Sequence, residues 1–227
     1  MFVTNTTNQR EMNDMSKTFK VPKAPYDEGD NIYNKGTFTF NSGVTVLVGC
    51  NGSGKSTLLR HLEHKLQNDK DVLCVSYNNL AQGGSNSVKD FLWNNQTRFA
   101  ASVMTGSEGE GIITNIGVIA NKIGNLVRAN QSNNKPLFIL FDAIDSGLSV
   151  DNVVDVKEYL FKTILDDNAN KRDVYIICSA NGYEMCNGEN CFDIQNVRYV
   201  NFKNYDEYKK FILKSAKIKA KRFEEQE

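Results

Sequence analysis

The stretch Gly49-Cys50-Asn51-Gly52-Ser53-Gly54-Lys55-Ser56 constrains this chain more than any other part of it. It fills the pattern G-x-x-x-x-G-K-[ST], and its surroundings are those the pattern requires. Before it runs the apolar segment Val44-Thr45-Val46-Leu47-Val48. After it comes Ser56-Thr57-Leu58-Leu59-Arg60-His61-Leu62, with leucines on one helical face. A buried strand, a glycine loop and a helix in that order make a phosphate cradle. Gly49, Gly52 and Gly54 let the backbone curl so that its N–H groups point at phosphate oxygens, and the helix adds its positive end. Lys55 is placed to neutralise the β- and γ-phosphates, and Ser56 to offer a hydroxyl to Mg²⁺. Thr57 is placed to meet the α-phosphate side, and Asn51 and Ser53 complete the nucleotide-binding set. The expected ligands are ATP and Mg²⁺.

The pattern on either side of this loop predicts an α/β fold. Val72–Tyr77, Leu137–Phe141, Val174–Cys178 and Val197–Phe202 read as short apolar strands. Helical spacing marks Ile112 to Leu126, Val153 to Ile164 and Asp206 to Lys219 between or after them. Strands alternating with helices argue a mainly parallel sheet covered on both faces, here a P-loop NTPase fold. Thr37-Phe38-Thr39-Phe40 alternates and Asn41-Ser42-Gly43 turns. Residues 37–48 therefore read as an antiparallel N-terminal hairpin feeding the strand before the loop. Residues 1–30 read as a poorly ordered or peripheral arm and 31–227 as one domain, with a small helical lobe at about 78–130. Asp142, closing the strand 137–141, is positioned to hold the Mg²⁺ water shell.

Composition excludes several other classes. Lysine plus arginine and aspartate plus glutamate number 27 each, so the net charge points to no partner. No apolar run approaches the ~20 residues of a membrane span, and the polar start lacks a hydrophobic signal core. The five cysteines, Cys50, Cys74, Cys178, Cys186 and Cys191, are odd in number and read as reduced thiols rather than a disulfide framework. These features lead to the expectation of a cytoplasmic protein without a membrane partner. Cys186 and Cys191 are spaced C-x4-C with no second pair, a poor zinc pattern.

VLVGCNGSGKSTLLRHLE and LFILFDAIDSGLS together resemble ATPases of the ATP-binding-cassette type. Within that class they are similar to the compact DNA-associated branch that includes the RecF and SMC head domains, and to small phage-encoded ATPases. Ser146-Gly147-Leu148 follows Asp142 at the spacing of that family's D-loop. Ser107-Glu108-Gly109-Glu110 matches the serine and glycine of its signature loop. The resemblance implies that Ser107 and Gly109 meet the γ-phosphate of ATP held by a second copy, and so a homodimer formed on ATP binding. It implies that Gln82 is a metal-sensing glutamine, and that the work is done on DNA or a DNA-bound protein, in a host cytoplasm if the chain is phage-encoded.

The chain also departs from that family. The family sets a catalytic glutamate directly after the magnesium aspartate, and here that position is Ala143. Where it sets a switch histidine, Ser179-Ala180-Asn181 stands. His61 and His64 lie on the helix after the phosphate loop and read as part of its exposed face. Asp145 is the nearest carboxylate, able to orient water or to serve a subunit contact. Slow ATP hydrolysis is the first expectation, and an ATP-holding structural or regulatory subunit without useful turnover the second. Tyr26 and Tyr33 lie at distances before the loop where an adenine-stacking aromatic is sometimes found, but such tyrosines are more often surface or core residues, and neither is assigned to the base. Lys209, Lys210, Lys214, Lys217, Lys219, Lys221 and Arg222 form the densest basic run, which reads either as a solvated tail or as a phosphate-backbone contact for DNA.

Overall fold

The computed structural model describes residues 15–24, 31–82, 98 and 108–224. A six-stranded sheet, ordered β4-β5-β6-β3-β7-β8, forms its centre. β3 (Gly43–Val48) lies between β6 (Val174–Ser179) and β7 (Asn190–Asp193), parallel to both. β5 (Leu137–Asp142) runs parallel between β6 and β4 (Leu73–Asn78). β8 (Arg198–Val200) closes one edge antiparallel to β7.

Successive residues of a strand face opposite sides, so a sheet covered on both faces needs apolar residues at every position. β5 meets that demand: Leu137, Ile139 and Phe141 enter one core, Phe138 and Leu140 the other. β6 divides in the same way, Val174, Ile176 and Cys178 against Tyr175 and Ile177. The first core is closed by Ile112, Ile116 and Ile123 of α3 (Glu108–Ala129) and by Val153 of α4 (Val150–Asp155). Phe161, ending the π-helical stretch Val156–Phe161, Ile164 of α5 (Lys162–Asn168) and Tyr208 of α7 (Tyr205–Glu224) complete it. The second core takes Leu58, Leu59, Leu62 and Leu66 of α1 (Lys55–Gln67). Full burial of a leucine is worth about 1.5–3 kcal/mol, so this stripe decides which side of α1 faces the sheet. Two four-residue helices, α2 (Asn79–Gln82) and α6 (Tyr183–Cys186), follow β4 and β6.

The antiparallel N-terminal element is present, but its strands are β1 (Ser16–Lys20) and β2 (Thr37–Asn41). Residues 37–40 do not pair with 44–48, because both edges of β3 are occupied by parallel neighbours. Gly43, at φ 101°, carries the chain from the small sheet into the large one. Part of the segment read as an arm is thus a strand, and Phe19 and Val21 are buried in the second core with Phe38 and Phe40. Within the segment expected to form a helical lobe, α3 packs onto the sheet as a core helix. Residues 83–97 and 99–107 lie outside the described residues. β7 went unread in the sequence, since Asn190-Cys191-Phe192-Asp193 is too short to show a period.

Candidate functional site

The phosphate loop leaves the carboxyl end of β3, the edge where ligands bind in open α/β sheets. Gly54 caps α1 in the left-handed region, at φ 102°. A Cβ there would lie 2.7 Å from Ile32 Cγ2 and 3.1 Å from the Tyr33 ring, so the position excludes side chains on two grounds. Tyr33 is fully buried, sets its ring edge-on to Phe38, and donates its hydroxyl to the Gly54 carbonyl at 2.8 Å. It buttresses the loop from the core side and is the core tyrosine of the two alternatives. Tyr26 lies outside the described residues.

Lys55 is buried at the start of α1. Its Nζ donates to the carbonyls of Gly49 at 2.7 Å and Cys50 at 3.3 Å. Burial holds its pKa below the ordinary lysine value, opposed by Cys50, Asp145 and Asp142 nearby. The Ser53 hydroxyl is buried and has no hydrogen-bond partner among the described residues. Buried polar groups are nearly always paired, so a loop that leaves a hydroxyl in this state fits an anion that supplies the missing oxygen. Thr57 sits in the first turn of α1, next to Ser56.

Asp142 ends β5 and is buried. Its Oδ1 accepts from Ser56 Oγ at 2.9 Å and from Ser179 Oγ at 2.7 Å, and its Oδ2 accepts from Asn78 Nδ2 at 3.0 Å. The ends of β4, β5 and β6 and the start of α1 therefore converge on one carboxylate. A serine hydroxyl touching a carboxylate is the hard oxygen pair that Mg²⁺ takes, with the remaining positions left to water and phosphate. Gln82 is close by: its Oε1 accepts from the Asn78 amide at 3.0 Å. With Arg60, Glu63, Asn78 and Asp142 it lines a cavity of about 250 Å³.

Ala143 occupies the position after the aspartate. It is buried and has a left-handed φ of 54°. Its amide donates to Ser179 Oγ at 2.7 Å and its carbonyl accepts from Asn79 Nδ2 at 3.1 Å. Asp145, the nearest carboxylate in the chain, is engaged by backbone amides. Its Oδ2 accepts from the amides of Asn181 at 2.8 Å and Gly182 at 2.6 Å, fastening the loop after β6. The sequence placed Asp145 by proximity in the chain, and could not see that two backbone amides would claim it.

Ser107 lies outside the described residues. Gly109 is in the first turn of α3, where a Cβ would come 3.5 Å from the Gly147 carbonyl of the same chain. His61 and His64 sit on α1, and no group of three or more histidine, cysteine or acidic side chains among the described residues is arranged to hold a metal. Cys186 is buried, and the Cys191 thiol beside it pushes its pKa up, as does burial. Among the described residues no helix is long and apolar enough to cross a membrane.

Four contributors were missed in the sequence: Asn78, Asn79, Ser179 and Ser215. The first three stand at or just after strand ends in register with Asp142, as the pairing of Asn78 with Asp142 shows. Strand-end polar residues next to a strand-end aspartate were the available signal. Ser215, whose Oγ accepts from the Cys50 amide of the loop at 3.1 Å, had none, because it comes from α7.

Residues 39–177, from β2 through most of β6, match the AAA domain family AAA_22. The chain belongs to that family. It is an ATP-binding domain of the P-loop ATPase type, and the matched span holds both the phosphate loop and Asp142. Among solved structures the chain is similar to the ADP conformation of an ATP-binding cassette of an ABC transporter, at 13% identity and a TM-score of 0.48, over 89% of this chain and 98% of that one. No curated relative matches the chain.

Proposed function

We propose that this domain is a Mg²⁺-dependent ATPase of the cassette type with slow turnover, working as a nucleotide switch. The observation that carries the reading is the convergence of Ser56, Ser179 and Asn78 on Asp142 beside a loop with an unpaired buried Ser53 hydroxyl. Lys55 and the loop amides would hold the β- and γ-phosphates, and Ser56 and Asp142 would hold the metal. Magnesium, when bound, would neutralise charge that develops on the phosphates. No carboxylate follows Asp142, and Asp145 is engaged by two amides, which supports a slow rate. General-base assistance is typically worth ~10²–10⁴-fold.

ATP-driven pairing of two copies and action on DNA belong to the same proposal. Exposed Val150 and Tyr205, beside a cavity of about 240 Å³ that Asp145 also lines, give a second copy an apolar surface to cover. The exposed lysines 209, 210, 214, 217 and 221 of α7 support a phosphate-backbone contact. A regulatory subunit without useful turnover is the second reading, favoured by the two amides on Asp145. Single-turnover hydrolysis with and without DNA, in wild type and in Lys55→Ala, tests both. The ATPase reading expects slow product formation that Lys55→Ala abolishes along with nucleotide binding. Tight binding with no product would select the second reading, and unchanged nucleotide affinity in Lys55→Ala would overturn the site.

A further inference from the structure

The basic helix α7 returns to the phosphate loop, about 165 residues after the loop in the chain, and touches it at two points one turn apart. Ser215 is buried; its Oγ accepts from the Cys50 amide at 3.1 Å and donates to Gln195 Oε1 at 2.7 Å. Four residues on, Lys219 Nζ donates to the Asn51 carbonyl at 3.0 Å. Gly52 lies directly under this approach: it has φ 74°, and a Cβ built there would come 2.8 Å from Lys219 Nζ and displace the ammonium. Two ammonium groups thus hold three consecutive loop carbonyls, Lys55 those of Gly49 and Cys50, and Lys219 that of Asn51.

We propose that Lys219 is a second lysine of the phosphate site, delivered by the C-terminal helix to the arch of the loop to attract the polyphosphate of a nucleotide. This rests on the nucleotide-binding reading above. Docking α7 on the loop needs no charge, since the buried Ser215 already anchors it there through the Cys50 amide and is itself held by Gln195. A cation at the arch attracts an anion that enters the loop, and its attraction reaches across the loop because the partly buried setting screens it less than bulk water does. Lys219 is half-buried, whereas its neighbours Lys217 and Lys221 are exposed, so one lysine of the basic run is set apart from the rest. The charge is greatest for a triphosphate, so the contribution is larger for ATP than for ADP.

The test measures binding of ADP and of a nonhydrolysable ATP analogue by calorimetry over a series of KCl concentrations. The proteins are wild type, Lys219→Met, Lys219→Arg and Ser215→Ala. Lys219→Met should weaken the ATP analogue about tenfold, roughly 1.4 kcal/mol, with a smaller loss for ADP and a flatter dependence on salt. Lys219→Arg should keep most of the affinity and the wild-type salt dependence. Ser215→Ala should keep the salt dependence while loosening the helix. Unchanged affinity in Lys219→Met would overturn the proposal. So would a loss that Ser215→Ala reproduces with salt dependence unaltered in both, because Lys219 would then be only a tether. A wild-type protein that binds neither nucleotide would overturn the parent reading instead.

Discussion

Ser179 is where removal of one oxygen should be felt most. Its hydroxyl donates to Asp142 Oδ1 at 2.7 Å and accepts from the Ala143 amide at 2.7 Å, so donor and acceptor capacity are both used. Ser179→Ala removes a hydrogen bond to a carboxylate, worth about 1.5–3 kcal/mol, and orphans a buried amide, costing about 1–3 kcal/mol. The two overlap, because the loop can shift to serve one group at the expense of the other. A net loss of about 2–4 kcal/mol is expected, and at roughly 2–4 °C per kcal/mol for a chain of this size the melting temperature falls by roughly 4–16 °C. Asn78→Ala provides the control. It removes another donor to Asp142, at 3.0 Å, and frees the Ala81 amide, which is exposed and can turn to water, so it leaves no buried amide orphaned and should cost about half as much. Thermal unfolding of the nucleotide-free proteins, followed by circular dichroism, reads both. A Ser179→Ala protein within about 0.5 kcal/mol of wild type would refute the reasoning, since surface substitutions without such partners fall in that range. Equal losses in the two variants would show that the orphaned amide does not dominate.

Two further outcomes follow from the same geometry. Gly54→Ala should cost roughly 2–4 kcal/mol, from a left-handed φ together with crowding against Ile32 and Tyr33, and should weaken nucleotide binding with it; unfolding midpoints and calorimetry check both. Ala143→Glu should lower the melting temperature and leave hydrolysis slow, because the position is 5% exposed and a carboxylate placed there is buried without a donor. A tenfold gain in turnover at unchanged stability would refute that.

What could be read in the chain, and what could not, divides along contact distance. The loop from Gly49 to Ser56 and the run Leu137 to Asp142 carry their meaning locally. A glycine pattern dictates backbone shape, and a doubly apolar strand dictates burial on both faces, so the parallel sheet and the place of the loop at a strand end were within reach. The antiparallel N-terminal hairpin is present, but its other strand was not named, because alternation in residues 37–40 reveals a half-buried strand without its partner. Pairing depends on which edges are free, and β3 has none. The partners of Asp145 were hidden for a related reason. Its distance from Asp142 in the chain suggested chemistry, whereas the amides of Asn181 and Gly182 reach it from the end of another strand.

The C-terminal helix is the extreme case. Its lysines look like one basic face when counted along the chain, and their density invited a single role for all of them. In the fold they separate: Lys217 and Lys221 face solvent, while Lys219 lies against Asn51 and Gly52. The separation follows from the helical period. Ser215 and Lys219 are four residues apart and share a face, and burying Ser215 at the Cys50 amide aims Lys219 at the next carbonyl of the loop. A DNA contact made by this helix would therefore draw on the outward lysines, while the inward one remains with the nucleotide. On the proposed reading, occupancy of the phosphate site and the set of the basic face would be linked through one helix, because α7 could not move on DNA without moving Lys219 on the loop. That linkage is reciprocal: whatever factor nucleotide adds to DNA affinity, DNA must add to nucleotide affinity.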